Sequence, residues 1–151
     1  MTDLFIDVRE ADIDPAVELA QLKSSKTGAI NAFFGIVRDE ESDLVALHLQ
    51  HYEGMTQKQI TKIAEQAMKR WSLTGLRVIH RIGRLKPSDM IVMVAASSAH
   101  RSEAIQACHF VMDYLKTDAP FWKAEEKKDG VSWVDARESD DNAKDKWQSS
   151  S

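Results

Sequence analysis

Six cations in this sequence, Arg38, His100, Arg101, Lys116, Lys123 and Arg137, fall where predicted elements begin or end, and sites are built at such junctions. His100 and Arg101 open a predicted helix. A cation there faces the positive end of the helix dipole, at a cost of up to roughly 1 kcal/mol. A bound phosphate or carboxylate would reverse that penalty through the free helix N–H groups and the guanidinium fork. Lys116 closes the same helix, where a lysine is favourable in any case. Lys123 follows TDAPFW, between Trp122 and Ala124. A lysine held against apolar surface can act as nucleophile or proton carrier. If the six converge, they make a pocket for a substrate bearing phosphate and other oxygens. An exposed pairing of Arg101 with Glu103 or Asp113 is an equally good reading of that residue.

Other chemistries lack their signatures. There is no GxGxxG, GxxxxGK[ST], CxxC, HExxH or GxSxG, so dinucleotide, P-loop, dithiol, zinc-protease and serine-hydrolase sites are not signalled. His48 and His51 alternate to opposite faces of one strand and cannot converge on a metal. The single cysteine, Cys108, lies on an apolar helix stripe and reads as an inert core thiol.

The elements that must hold these residues follow from periodicity. Leu4 to Val8 alternates as a strand, and Asp14 with Pro15 caps a short helix reaching Lys23. After the SSKTG turn, Ala29 to Val37 is a nearly continuous apolar run, as in a strand buried on both faces, with Gly35 marking a bulge or close approach. The acidic loop DEESD follows Arg38 and is expected to be exposed and mobile. Leu44 to Tyr52 is a strand, and Thr56 to Trp71 a helix with Thr56 as N-cap. Lys58, Lys62 and Lys69 make its solvated face. Leu76 to Ile82 is a strand, GRLKPSD a loop, and Met90 to Ala96 a central strand. The helix after it carries Ala104, Ile105, Cys108, Val111, Met112 and Leu115 at spacings of three and four, one buried stripe. FWKAEEKK and VSWVDARE, around Asp129 and Gly130, read as a hairpin with a type I′ turn. The fold class is α+β (mixed α/β), with helices packed on a mainly antiparallel sheet and a C-terminal hairpin.

With 151 residues, the chain has the length of one domain. Residues 1–140 read as that domain and 141–151 as a solvated tail. Hydrophobic residues at 43%, charged ones at 29% and a net charge of −4 suggest neither disorder nor a broad basic face for nucleic acid. No apolar run approaches the roughly 20 residues that cross a bilayer. MTDLFIDVRE lacks the basic start of a signal peptide, and a cytoplasmic location is expected. The residues alone lead to an anion-binding α/β enzyme or a non-catalytic, anion-regulated module whose cations grip an anionic tail or nucleotide.

HRSEAIQACHFVMDYLKTDAPFWK, with GIVRD, HYEGMT, VIHRIG and WVDARES, resembles the large, catalytic subunit family of molybdopterin synthase, in order and spacing, from about Gly28 to Arg137. The resemblance implies an α/β-hammerhead-type fold and a sulfurtransferase that installs two dithiolene sulfurs on cyclic pyranopterin monophosphate. Sulfur comes from the C-terminal Gly-Gly thiocarboxylate of a small ubiquitin-like carrier subunit, not from Cys108. No metal or cofactor is implied. The resemblance assigns substrate binding to Ile36, Val37, Arg38, His100, Arg101, Ala124, Glu125 and Arg137, and catalysis as well as binding to Lys116 and Lys123. At Ile36 related sequences can carry a lysine, so only backbone contact is expected there. The family implies a dimer of large subunits with a carrier at each end, a heterotetramer. Ala29 to Val37 and Met90 to Ala96 are candidates to extend a sheet across the dimer.

Overall fold

The computed structural model describes residues 3–133, and the expected tail and Arg137 lie outside them. The strands are β1 (Asp3–Arg9), β2 (Ala29–Ile36), β3 (Leu44–His51), β4 (Gly75–Arg81), β5 (Gly83–Leu85), β6 (Met90–Ser98), β7 (Phe121–Lys127) and β8 (Gly130–Trp133). The helices are α1 (Pro15–Ala20), α2 (Met55–Arg70) and α3 (Arg101–Asp118). The α+β class and the C-terminal hairpin stand. The strands form two four-stranded sheets, ordered β1-β4-β6-β2 and β5-β3-β7-β8. β1 and β4 are the parallel pair in the first, and the second is antiparallel throughout.

The first sheet is covered on both faces. Ile60, Ile63, Ala64 and Ala67 of α2 pack with Ala107, Cys108, Phe110, Val111 and Leu115 of α3 against Leu76, Val78, Val92, Val94 and Ala96. Ile13 and Leu22, flanking α1, cover Ile79, Met93 and Ala95 on the other face. There the Arg77 guanidinium meets Glu18 at 2.5 Å and lies 4.1 Å from the Phe5 ring centroid. This buried pair fixes α1 on the sheet. Asp14 caps α1 as expected, accepting from the N–H groups of Ala16 and Val17.

Several expectations change. Among the described residues β2 pairs on one side only, with β6, and is the sheet edge. Ile30, Phe33 and Ile36 are therefore exposed, at 36%, 41% and 54%. β6 lies between β4 and β2, so it cannot extend the sheet outward. Gly35 does mark a bulge, since the register shifts between Gly35 and Ile36. GRLKPSD is not all loop, because Gly83–Leu85 pairs with β3. The N-cap of α2 is Gly54, not Thr56. Ile105 of α3 is 49% exposed, and Ala107 and Phe110 are buried instead. In the last hairpin Lys127 pairs with Gly130. Positive φ falls there on Gly130 alone, whereas a type I′ turn needs it at both central residues.

Candidate functional site

The cleft that gathers most of the predicted site residues opens between the two sheets at the C-terminal end of α3. Its volume is about 700 Å³, within the range of small-molecule sites. The end of β2 contributes Ile36, Val37 and then Arg38; α3 contributes Lys116, and β7 contributes Lys123 and Glu125. The β2 bulge delivers the first three. Past it, Val37 turns away to bond Asp89 and Ser88 through its backbone N–H and carbonyl, leaving Arg38 exposed at the rim.

Lys116 is exposed on the last turn of α3. Ala119 caps that helix in extended conformation, and Pro120 turns the chain into β7. Lys123 pairs in register with Leu49 and Glu125 with Leu47, so alternation places Lys123, Glu125 and Lys127 on the cleft face. Ala124 is on the opposite face, buried at 3%, and its side chain is structural. Lys123 is exposed rather than held in apolar surroundings.

The acidic loop is exposed but pinned. Glu40 pairs with the Arg38 guanidinium. Asp39 Oδ1 accepts from the N–H groups of Asp43 and Leu44 at 3.2 and 3.1 Å. Lys127 Nζ lies 3.7 Å from Glu41, 3.8 Å from Asp43 and 3.6 Å from Glu125. These acids, Asp43 foremost, push the Lys127 pKa upward. Among the described residues the cleft thus carries five carboxylates, Asp39, Glu40, Glu41, Asp43 and Glu125, against four fixed cations, Arg38, Lys116, Lys123 and Lys127. That balance alone does not draw in an anion.

His100 and Arg101 are not in this cleft. They are exposed at the opposite end of α3, about 22 Å from Lys116 at roughly 1.5 Å per helical residue. Neither expected partner takes Arg101: Glu103 accepts from Ser98 Oγ at 3.0 Å and Asp113 pairs with His109 at 3.4 Å. Cys108 is the core thiol it was read as. It is 1% exposed, its Sγ donates to the Val94 carbonyl at 3.4 Å, and burial pushes its pKa up to about 11.

His80 is a cleft residue that enters the sequence reading only within VIHRIG. The available signal is alternation: Leu76, Val78 and His80 share one face of β4, and the first two are core.

Residues 8–118 match the MoaE protein family. A curated relative, the molybdopterin synthase catalytic subunit of Ralstonia nicotianae, is 48% identical over 146 residues, 94% of this chain and 83% of the relative. The solved molybdopterin biosynthesis MoaE protein of Burkholderia ambifaria is 47% identical, covers 96% of this chain and 98% of its own, and superposes with a TM-score of 0.84. The crystal structure of molybdopterin synthase from Staphylococcus aureus is 28% identical, covers 88% of this chain and 96% of its own, and has a TM-score of 0.78. On identity, coverage and fold together, the chain belongs to the MoaE family of molybdopterin synthase catalytic subunits.

Proposed function

We propose that residues 1–140 form one cytoplasmic catalytic domain that moves sulfur from the thiocarboxylate of a small carrier subunit onto cyclic pyranopterin monophosphate. The observation that carries this reading is the convergence of Lys116 from α3, Lys123 from β7 and Arg38 from the β2 end on one cleft. Each transfer forms a C–S bond to the pterin precursor and breaks the acyl C–S bond of the carrier. Water supplies the oxygen of the carrier carboxylate, and an oxygen of the precursor leaves as it gains a proton. Two ammonium groups in one cleft can attract the thiocarboxylate, stabilise the acyl oxyanion and donate that proton. Arg38 holds phosphate in fork geometry. Ile36, Val37 and Glu125 line the walls, and Ala124 contributes backbone.

A second copy of the chain completes the cleft in this reading. β2 is an apolar edge, and such an edge is a template for pairing. Its start lies beside the lead-in to α3: Gly28 N–H donates to the Ser98 carbonyl at 2.9 Å, and a Cβ on Gly28 would collide with the Ala99 carbonyl oxygen. Its finish leads to Ile36, Val37 and Arg38. Two-fold antiparallel pairing of β2 with its copy sets the start of one strand against the finish of the other. His100 and Arg101 of each protomer then approach the other's cleft and correct its charge balance. With a carrier subunit at each end, the assembly is a heterotetramer.

The test is reconstitution with thiocarboxylated carrier and precursor, followed by assay for molybdopterin. Wild type forms product, and Lys116→Ala and Lys123→Ala each lose most of the rate while still binding carrier. Product formed by either variant at the wild-type rate sinks the catalytic assignment.

A further inference from the structure

Of the groups lining the cleft, His80 has no place in the scheme above. It stands at the end of β4, opposite Lys116, with its imidazole stacked on Phe121 at a centroid distance of 3.9 Å and an interplanar angle of 21°. Nδ1 lies 2.9 Å from the Arg81 carbonyl oxygen. A carbonyl can only accept, so Nδ1 carries the proton and Nε2 carries the lone pair. Among the described residues no side chain or backbone group bonds Nε2. The ring is thus held by its neighbours on two sides and presents one neutral acceptor atom on the wall of a cleft whose carboxylates are already engaged, Glu40 by Arg38, Asp39 by the N–H groups of Asp43 and Leu44, and Glu41, Asp43 and Glu125 by Lys127.

We propose that His80 is a specificity-determining residue, whose Nε2 accepts a hydrogen bond from an N–H or O–H of the bound pterin. The inference rests on the sulfur-transfer reading and adds the ring-recognition element that the cations do not supply. Cations recognise phosphate and carboxylate oxygens; a reduced pterin also carries N–H donors, which only an acceptor can meet. The electrostatics agree. Burial, with Lys116 adding repulsion, brings the His80 pKa down to about 4, so the imidazole is neutral across the physiological range. A protonated ring would be one more donor and could not perform this task. The fixed tautomer makes the site selective, because a ligand that offers an acceptor at this point leaves two lone pairs opposed.

Calorimetric binding of cyclic pyranopterin monophosphate to the carrier-bound enzyme tests the proposal. His80→Phe keeps a ring against Phe121 and removes the acceptor; His80→Gln returns an acceptor near Nε2. His80→Phe is expected to weaken precursor binding by about tenfold, with carrier affinity unchanged, and His80→Gln to stay within about threefold of wild type. Equal binding by His80→Phe and wild type overturns the proposal. So does an equal loss in both variants, which marks a packing role. A second measurement uses the wild-type protein labelled with 15N-histidine, in case His80→Phe folds poorly. On addition of precursor the Nε2 resonance of the Nδ1–H tautomer moves upfield, and an unmoved resonance refutes the contact. Failure of the underlying reading looks different, since wild type would then bind precursor and carrier but form no molybdopterin whatever residue 80 is.

Discussion

Thr56 Oγ donates to the Pro120 carbonyl at 2.7 Å and accepts from the Tyr52 N–H at 2.9 Å. This fully buried hydroxyl ties the start of α2 to the turn between α3 and β7, the segment that spaces Lys116 from Lys123. Thr56→Val keeps the shape and removes both bonds, stranding a buried carbonyl and an N–H. A loss of about 1–3 kcal/mol in denaturant unfolding is expected, together with a fall in kcat for molybdopterin formation because the two lysines lose their fixed spacing. An unchanged kcat in a destabilised variant would separate the turn from the chemistry.

Arg38 is already engaged, by Glu40. Both side chains are largely exposed, at 69% and 54%, so the pair is worth at most about 1 kcal/mol. An incoming phosphate must displace the Glu40 carboxylate. Glu40→Gln is therefore expected to tighten precursor binding by up to about fivefold, and Arg38→Ala to weaken it. Both effects shrink as salt is raised. Titration calorimetry at low and high ionic strength gives the sign directly.

Cys108 is buried in the core and does not line the cleft, and its thiol is neutral in the fold. Its pKa, raised by burial from near 9 to about 11, means that the unfolded chain ionises first as pH rises. The thiol's contribution to stability is full below pH 9 and is lost as pH climbs through 11. Cys108→Ala should keep activity within about twofold, cost about 1–2 kcal/mol through the space it leaves, and lack that alkaline loss. Iodoacetamide at pH 8 should label the wild-type thiol only in denaturant. An inactive Cys108→Ala protein of normal stability would overturn this reading and give the thiol a part in sulfur transfer.

The legible parts of this fold were those governed by local spacing. α2, α3 and β6 run long enough for periodicity to show, and the Asp14 cap and the Gly35 bulge each have a short-range cause. What the sequence hid depends on partners distant along the chain. Ala29 to Ile36 is apolar enough for an interior strand, yet among the described residues β6 alone pairs with it. Thr56 looks like a cap until Pro120, far along the chain, claims its hydroxyl. The three-residue β5 is too short for any pattern and exists only because β3 offers it an edge. Of the site, Arg38, Lys116 and Lys123 were found from charge at element ends, and His80 was not, since a lone histidine in a strand more often has a structural part. The separation of Arg101 from Lys116 was implicit in the length of α3, but its consequence needed the free edge of β2.

That edge is open to a direct experiment. Phe33 is 41% exposed at the middle of β2, so Phe33→Glu places a charge on each side of a two-fold strand pairing, where like charges repel. Sedimentation should show monomers for this variant and dimers for wild type. Its molybdopterin synthesis should fall with the dimer fraction and recover in part at high protein concentration. A variant that stays dimeric would move the interface elsewhere on the molecule.

Completion of each cleft by its neighbour predicts complementation between inactive proteins. Lys116→Ala and Arg101→Ala homodimers each carry two defective sites. In a hybrid dimer one cleft has lost both residues, whereas the other combines an intact Lys116 from its own chain with an intact Arg101 from the partner chain. Random exchange makes half the dimers hybrid, so about a quarter of wild-type activity should return on mixing and reassociation. If Arg101 served the cleft of its own chain, no hybrid site would hold both residues, and the mixture would remain as inactive as its components. The 22 Å or so of helix between Lys116 and Arg101 favours the first outcome, because no rearrangement short of unfolding α3 brings the two ends of one rigid helix together.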